Sequence, residues 1–355
     1  MGQSRQGGVS ASGRAVSSRA LIVRPADDTA IDAAAELLRH GALVAFPTET
    51  VYGLGADATD ATALGRIFTA KGRPPDHPLI VHLAAADQLD HWSENPSPVA
   101  RRLAEAFWPG PLTIVVPRRH TVSPAATGGK PTVGLRVPDH PVALALLERA
   151  GRPLAAPSAN RFGRVSPTTA ADVAAEFAGM DGGPDLVLDG GACRVGVEST
   201  IVEVLDGDPV LLRPGGIPVE FIEDVLGCVL RTASGPARAS GMLASHYAPS
   251  AAVELVEPGD PAALAAAVAA ALALGRSVAV LGLPSAGSGW RADLDPAAVV
   301  LDPVANTEEY AQVLYRRLRE ADRAGVEHVV ALLPDPDGLG RAVRDRLRKA
   351  AAPRP

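Results

Sequence analysis

Blocks of apolar residues alternate with amphipathic stretches from residue 20 onward, and this alternation predicts an α/β chain. Apolar positions at helical spacing predict helices at 31–39, 60–70, 97–107, 141–150 and 168–177. Short apolar runs predict strands at 42–46, 79–83, 112–116, 132–137, 154–156, 186–188, 200–205 and 210–212. The last two strands are spaced as a hairpin, so we expect a mixed sheet rather than a purely parallel one.

A second, smaller domain is predicted after a stretch in which this pattern weakens. Residues 234–245 are rich in Pro, Gly, Ser and Ala, which is typical of a linker. The alternation then resumes, with strands at 252–256, 277–281, 299–301 and 329–333 and helices at 261–274, 307–324 and 339–351. We therefore divide the chain into a disordered tail (1–19), a catalytic domain (20–216), a linker or lid (217–250) and a Rossmann-like α/β C-terminal domain (251–355).

Composition narrows the class of protein. The 355 residues are 47% hydrophobic and carry a formal net charge of −6, whereas a protein that binds duplex nucleic acid over its whole surface is usually basic. The 2 cysteines, Cys193 and Cys228, are too few for a disulfide scaffold and are expected to be buried small residues. No apolar run reaches the length of a membrane span, so we expect no membrane partner. The tail is Arg- and Ser-rich without acids, which also fits a transit peptide, but a disordered extension of a cytoplasmic protein is favoured.

A polar segment directly follows the strand at 42–46. It runs Pro47-Thr48-Glu49-Thr50-Val51-Tyr52-Gly53-Leu54-Gly55, and glycines next to polar groups at a strand end are typical of small-molecule sites. About twenty residues later, the cationic turn Lys71-Gly72-Arg73-Pro74 leads into the strand that ends at His82. Together these segments predict a pocket for a phosphorylated ligand beside a small polar substrate.

Four cations lie at strand ends or in adjoining turns: Lys71, Arg73, Arg136 and Arg213. Any one of them alone would be interpreted as a solvated surface charge. Because strand ends of one sheet converge, and because Arg binds phosphate with a bidentate fork, we expect the set to share one cleft.

Hydroxyl and amide groups supply the remaining candidates. Ser158 and Asn160 follow the strand at 154–156, Ser199 opens the strand at 200–205, and Ser166 is placed to cap the helix at 168–177. The sequence places no histidine base near Ser158, so we interpret these residues as binding groups rather than covalent nucleophiles.

These motifs occur together in the order of a known family. The matching segments are Pro47 to Leu54, Lys71-Gly72-Arg73-Pro74, Pro78-Leu79-Ile80-Val81-His82, Pro109-Gly110-Pro111-Leu112-Thr113, Gly134-Leu135-Arg136, Pro157-Ser158-Ala159-Asn160, Val197-Glu198-Ser199-Thr200 and Arg213-Pro214-Gly215. The chain resembles the YrdC-like family, the threonylcarbamoyl-AMP synthases. Ser245-His246-Tyr247-Ala248-Pro249 and the segment from Leu339 to Leu347 resemble the long, two-domain form. The resemblance implies a twisted mixed sheet with flanking helices in the first domain.

The resemblance also implies a reaction and a set of site residues. The family makes L-threonylcarbamoyl-adenylate from L-threonine, bicarbonate and ATP, releases pyrophosphate, and is a nucleotidyltransferase serving the modification of adenosine 37 in tRNA. The implied threonine-binding residues are Thr50, His82, Arg136 and Ser199. The implied ATP-binding residues are Arg73, His77, Thr113, Ser158, Asn160, Ser166, Arg213 and Tyr247. Lys71 and Arg73 are the implied catalytic residues at the phosphates, and Mg²⁺ would bind through ATP rather than through protein ligands.

Two details qualify this interpretation. His77 stands where the family often has Asn, and a titrating imidazole there would add pH dependence. Tyr247 lies in the predicted linker, where it would close over the nucleotide as a lid.

Two other functions use the same features. An RNA-binding module would use the same basic cleft, and tRNA or threonylcarbamoyl-transfer proteins are candidate partners of the enzyme as well. A carbamoyl-adenylate enzyme of the hydrogenase-maturation type shares this domain but carries Cys clusters, which 2 cysteines cannot supply.

Overall fold

The computed structural model describes residues 21–205, 207–233, 247–282, 284 and 294–353. The predicted tail at 1–19 and the predicted linker at 234–245 lie outside these residues. The helices of the described part are α1 (Asp28–Arg39), α2 (Ala61–Lys71), α3 (Leu89–Trp92), α4 (Pro98–Phe107), α5 (Pro141–Ala150), α6 (Ala170–Glu176), α7 (Val219–Leu226), α8 (Pro261–Ala273), α9 (Thr307–Arg323) and α10 (Gly340–Ala351). The strands are β1 (Val23–Pro25), β2 (Val44–Phe46), β3 (Gly53–Asp57), β4 (Ile80–His82), β5 (Leu112–Pro117), β6 (Thr132–Arg136), β7 (Leu154–Ala155), β8 (Leu186–Asp189), β9 (Thr200–Glu203), β10 (Val210–Arg213), β11 (Arg231–Thr232), β12 (Ala252–Val256), β13 (Val278–Leu281), β14 (Val299–Val300) and β15 (His328–Leu332).

The first domain is built on a mixed sheet, as predicted. Its strand order is β1-β8-β2-β3-β7-β4-β6-β5-β9-β10-β11. The pairs β4/β6 and β5/β9 are parallel, whereas β2/β3, β5/β6 and β9/β10 are antiparallel, which confirms the predicted antiparallel pairing of the last hairpin. Side chains of β2 and of Leu43, which precedes it, alternate between the two faces of the sheet. Val44 and Phe46 pack on one face with α1 and α5, whereas Leu43 and Ala45 pack on the other with α2 and α4. Helices therefore cover both faces of the sheet.

The second domain contains a parallel sheet in the order β12-β15-β13-β14. Helix α8 lies between β12 and β13 along the chain, and α9 lies between β14 and β15, which is the type of connection that parallel pairing requires. This arrangement confirms the predicted Rossmann-like α/β domain.

Helix boundaries follow the predicted local signals. The Asp60 side chain accepts hydrogen bonds from the backbone of Thr62 and Ala63, and Gly72 ends α2 in the left-handed region with φ 60°. Ser97 caps α4 in the same way, through the backbone N–H of Ala100.

The structure departs from the predicted elements after β2. Gly53 and Gly55, interpreted as loop glycines beside a ligand, instead belong to strand β3. A Cβ on Gly55 would lie less than 3.0 Å from the ring of Phe46 on the neighbouring strand, so the glycine makes room for an aromatic side chain. The pattern missed β3 because two glycines remove the apolar signal of a strand.

Two further departures lie between 217 and 250. Helix α7 and strand β11 occupy part of the predicted linker, and β11 adds to the first sheet beside β10. Of the two cysteines, Cys193 is buried as predicted, but Cys228 is exposed.

The two domains pack closely against each other. Val51, Val165 and Val197 of the first domain share one apolar cluster with Tyr310 and Tyr315 of α9. Gly196, with φ 79°, lies against the backbone of α9, where a Cβ would meet Gln312 and Ala311 at less than 3.0 Å. Helix α9 of the second domain therefore packs directly against the first domain. Among the described residues, no helix combines the length and apolarity that crossing a membrane requires.

Candidate active site

One cavity gathers most of the predicted site residues. It encloses about 470 Å³ of space when its open mouth is included. Its wall is formed by Thr50, Val51, Arg73, Ile80, His82, Arg136, Ala156, Pro157, Ser158, Glu198, Ser199, Arg213 and Tyr247. Eight of the thirteen predicted residues are in that wall, and the other five, which are Lys71, His77, Thr113, Asn160 and Ser166, lie outside it.

Strand register brings two of the wall residues together. The parallel pair β4/β6 places His82 directly opposite Arg136 at the end of both strands. Because side chains alternate along a strand, Ile80 and His82 point to the same face of the sheet. The cavity lies over that face.

Arg136 is buried at the centre of a polar cluster. Its Nη2 donates to Thr50 Oγ1 at 3.0 Å and lies 2.7 Å from Glu49 Oε2. Thr50 Oγ1 lies a further 2.8 Å from Thr48 Oγ1, which in turn donates to the carbonyl of Val51. The Pro47–Tyr52 turn between β2 and β3 is thereby fixed against β6. Glu49 completes the charge balance of this cluster, although the sequence did not single it out.

His82 is a neutral side chain in this environment. Burial lowers its pKa to about 3, and the charge of Arg136 acts in the same direction. Its imidazole packs edge-on against Phe46, with ring centroids 6.4 Å apart. It therefore offers a polar, uncharged surface to a ligand at neutral pH.

Two arginines supply positive charge to the other side of the cavity. Arg73 Nη2 donates to the carbonyl of Pro78 at 2.9 Å, and burial lowers its pKa only to about 10, so it is cationic at neutral pH. Arg213 donates through Nη2 to the Ser199 carbonyl at 2.7 Å and to Ser199 Oγ at 3.1 Å. Arg73 and Arg213, two of the four cations predicted at strand ends or in adjoining turns, therefore line the same cavity.

Ser199 and Thr113 form a buried pair behind the wall. Their hydroxyl oxygens are 2.8 Å apart, so Thr113 contacts Ser199 while Ser199 itself lines the cavity. Gly215 packs on the same backbone, where a Cβ would lie less than 3.0 Å from Glu198, Ser199 and Thr200. Because Gly215 has no side chain, the turn that follows Arg213 can lie against the backbone of Ser199, and Arg213 can reach that residue.

Lys71 is directed to the loop that follows β7 rather than to the cavity. Its Nζ donates to the carbonyl of Ser158 at 2.5 Å and to the carbonyl of Asn160. Burial lowers the pKa of Lys71 well below its usual range, and Arg73 acts in the same direction. The Lys71 Nζ holds the Ser158 loop in place, and contact with phosphate stays a prediction.

Asn160 and His77 also lie beside the wall. The Asn160 amide donates to the carbonyls of Arg161 and Arg164, which closes the loop after Ser158. The His77 ring lies 5.5 Å from the ring of Phe162, and burial lowers its pKa, with Arg73 acting in the same direction. His77 therefore carries less positive charge at neutral pH than an ordinary histidine does.

Ser166 is not the helix cap that the sequence predicted. Thr169 caps α6, through the backbone N–H of Asp172. Ser166 Oγ instead donates to Glu198 Oε1 at 2.7 Å. The sequence signal was ambiguous because Ser, Pro, Thr and Thr occupy four consecutive positions, and any of the hydroxyls could have supplied the cap.

Tyr247 reaches the cavity from the segment between the domains. Its ring stacks on Tyr315 of α9 with a centroid distance of 5.6 Å, and the guanidinium of Arg346 lies 5.1 Å from it. Ser245 and His246 of the same motif lie outside the described residues. The cavity is consequently walled by residues from both sides of the domain boundary.

The comparisons with known proteins agree with this architecture. Residues 36–215 match the Sua5–YciO–YrdC family model, described as telomere recombination, and residues 217–352 match the model described as threonylcarbamoyl-AMP synthase, C-terminal domain. The chain belongs to the YrdC-like family, in its two-domain form.

Relatives of known name match over both domains. The threonylcarbamoyl-AMP synthase of Pyrococcus abyssi is 46% identical over 90% of this chain and 93% of its own length. The Bacillus subtilis protein of the same name is 41% identical over 92% of this chain and 94% of its own. A crystal structure of P. abyssi Sua5 complexed with L-threonine superposes with a TM-score of 0.83 and 43% identity, over 93% of this chain and 96% of that one.

Besides Glu49, sequence reasoning missed Glu198 and two of the residues that bind it. Glu198 lies in the wall, and its partners Tyr315 and Arg346 come from helices α9 and α10 of the second domain. Glu198 immediately precedes a predicted site residue, and this adjacency was the one available signal. Arg346 lies in the 339–347 segment that resembles the long form, but nothing there indicated a contact with the site; only the packing of the two domains brings Arg346 and Tyr315 against Glu198.

Proposed function

We propose that this YrdC-like protein synthesises L-threonylcarbamoyl-adenylate from L-threonine, bicarbonate and ATP, with release of pyrophosphate. The observation that carries the proposal is a single cavity that combines Thr50, His82 and Arg136 with Arg73, Ser158 and Arg213. The first group suits a small hydroxy amino acid, and the second suits a nucleotide. The relatives that match over both domains are named for this product.

The threonine side binds a zwitterion of modest size. Arg136 supplies positive charge for the threonine carboxylate, while Thr50 and neutral His82 supply polar contacts without further charge. The threonine ammonium passes its proton to solvent before the nitrogen forms a carbamate, because an imidazole whose pKa is lowered to about 3 is too weak a base to accept it.

The nucleotide side stabilises charge that develops during transfer. The unprotonated threonine nitrogen adds to the carbon of bicarbonate, water leaves, and a carbamate forms. A carbamate oxygen then attacks the α-phosphorus of ATP, the bond to the bridging oxygen breaks, and pyrophosphate departs with the electron pair. Arg73 and Arg213 face this region and offset the developing negative charge. The protein thus acts as a nucleotidyltransferase that needs no nucleophile of its own.

Magnesium is proposed to enter with ATP. The described residues contain no group of three or more His, Cys, Asp or Glu side chains arranged to hold an ion, and Glu198 in the cavity wall is committed to Arg346 and Tyr315. Phosphate oxygens would therefore hold the ion, which supplies additional charge neutralisation at the triphosphate.

The test is product formation from purified protein. ATP, labelled bicarbonate and each amino acid in turn are incubated with the protein, and a labelled acyl-adenylate is sought by rapid chromatography. We expect the product with threonine alone, together with pyrophosphate release that requires both threonine and bicarbonate. Pyrophosphate release in the absence of threonine, or the same label with every amino acid, would overturn the proposal.

The same experiment distinguishes the synthase from the alternative function, an RNA-binding module. Turnover without added RNA supports the synthase, whereas binding of RNA without turnover of ATP supports a binding module. Delivery of the product toward adenosine 37 of tRNA through a transfer protein, and a cytoplasmic location, stay predictions.

A further inference from the structure

A buried carboxylate connects the cavity to the second domain. Glu198 is a wall residue of the first domain, and the Ser166 hydroxyl donates to its Oε1 at 2.7 Å. Its other partners come from the second domain, since Arg346 Nε donates to Oε2 at 2.7 Å and the Tyr315 hydroxyl lies 2.8 Å from the same oxygen. Burial alone would raise the pKa of Glu198, but the charges of Arg346 and Arg213 hold it at about 2. Glu198 is therefore an anion that depends on a cation from α10.

Arg346 also fixes the backbone beside Arg213. It is 1% exposed, and its Nη2 donates to the carbonyl of Pro214 at 3.0 Å. Pro214 directly follows Arg213, so this bond restrains the turn from which Arg213 reaches Ser199. One side chain of the second domain thus holds both Glu198 and the neighbour of a cavity arginine.

Tyr315 and Arg346 also hold Tyr247 in an unfavourable backbone conformation. Tyr247 has φ 62°, in the left-handed region that bulky residues avoid. Such a conformation persists only when the surroundings determine it, and here the ring contacts both the Tyr315 ring and the guanidinium of Arg346. The two side chains that bind Glu198 therefore also place the aromatic side of the cavity.

We propose that Arg346 and Tyr315 are positioning residues of the nucleotide site, acting through Glu198, Arg213 and Tyr247. The inference rests on the proposed function, because it assigns the second domain a part in ATP binding for that reaction. In the absence of Arg346, the Glu198 carboxylate would draw Arg213 toward itself, because Arg213 is a second cation whose charge acts on it. ATP binding should then suffer more than threonine binding, because Arg213 contacts the implied threonine residues through Ser199, whereas Thr50 and Arg136 are held by each other and by Glu49.

The experiment compares the variant Arg346→Met with Arg341→Met. Arg341 lies on the same helix and pairs with Glu220 at the surface at 3.0 Å, so it is a matched arginine without contact to the cavity. Each protein is assayed for pyrophosphate release, first with ATP varied at saturating threonine and then with threonine varied at saturating ATP. We expect Arg346→Met to raise the KM for ATP about tenfold or more and the KM for threonine by at most about threefold, through Ser199, while the Arg341→Met values stay within about twofold of wild type.

A second pair of variants separates positioning from loss of folding. In the double variant Glu198→Gln/Arg346→Met, the side chain at position 198 is an uncharged amide that needs no compensating cation. The KM for ATP should therefore return toward that of Glu198→Gln alone. Tyr315→Phe keeps the ring beside Tyr247 and removes only the hydroxyl on Glu198, so it tests the same network if Arg346→Met does not fold. A smaller rise in the KM for ATP, about threefold, is expected there.

Each outcome of these assays either supports or overturns the inference. An unchanged KM for ATP in Arg346→Met or in Tyr315→Phe, or equal losses for both substrates, overturns the inference. If wild-type protein shows no turnover, the proposed function fails instead, and calorimetric binding of ATP decides the inference separately. Weaker ATP binding in Arg346→Met than in Arg341→Met would then support it, and equal binding would overturn it.

Discussion

Replacing Arg136 with Met tests whether the buried ion pair organises the threonine side of the cavity. The change removes the guanidinium and keeps most of the side-chain volume, so it isolates charge from packing. Glu49 is 0% exposed and lies 2.7 Å from Arg136, and it would remain as a buried carboxylate without its cation.

The magnitude follows from that burial. Breaking a buried pair by removing one partner costs about 3–5 kcal/mol, and each kcal/mol shifts Tm by roughly 2–4 °C in a domain of this size. We therefore expect Tm to fall by about 6–20 °C. Arg194 and Asp139 form a surface pair whose side chains are 58% and 50% exposed, so Arg194→Met should cost less than about 1 kcal/mol.

Thermal unfolding by calorimetry and threonine binding by titration measure the two consequences. Glu49→Gln/Arg136→Met should recover a large part of the lost Tm, because no uncompensated charge remains, but it should not recover threonine affinity. A drop in Tm no larger than that of Arg194→Met would refute the argument that this pair is buried and coupled. Full threonine affinity in the double variant would remove Arg136 from the binding site.

Three other changes probe different parts of the cavity. Tyr247→Ala should raise the KM for ATP or lower kcat, because it removes an aromatic ring from the cavity wall; unchanged steady-state kinetics would exclude the segment from the mechanism. Gly215→Ala should destabilise the protein by about 1–3 kcal/mol in urea unfolding, because its Cβ would meet backbone at Ser199, while Gly65→Ala, in open space on α2, should not; equal stability of the two variants would contradict the packing. His82→Asn should make Tm fall less on acidification. The pKa of His82 is about 3 in the folded protein and 6.5 ordinarily, so the unfolded chain takes up the proton first as pH falls. The stability that the neutral, buried imidazole contributes in wild type is therefore present above pH 6.5 and is lost as pH falls toward 3. Parallel Tm profiles of wild type and His82→Asn over that range would show that the imidazole is not buried.

The sequence by itself determined most elements and the types of residue at the site. Period and capping signals placed α2, α4 and α5 to within one or two residues, because a helix end depends on local groups such as Asp60 and Gly72. Strand ends and adjoining turns identified Arg73, Arg136 and Arg213, and the family resemblance added Thr50 and His82; all five lie in the cavity wall.

The tertiary structure alone decided how those residues are held. Strand β3 escaped detection because its glycines are explained by Phe46 on another strand, and Ser166 was assigned to a helix cap because its true partner, Glu198, is 32 residues away. The contribution of the second domain was the least accessible, since Arg346 lies 148 residues from Glu198 and no local pattern encodes such a distance. Short-range signals fix helices, strands and chemical types, whereas a buried charge acquires its meaning only from the partner that packing brings to it.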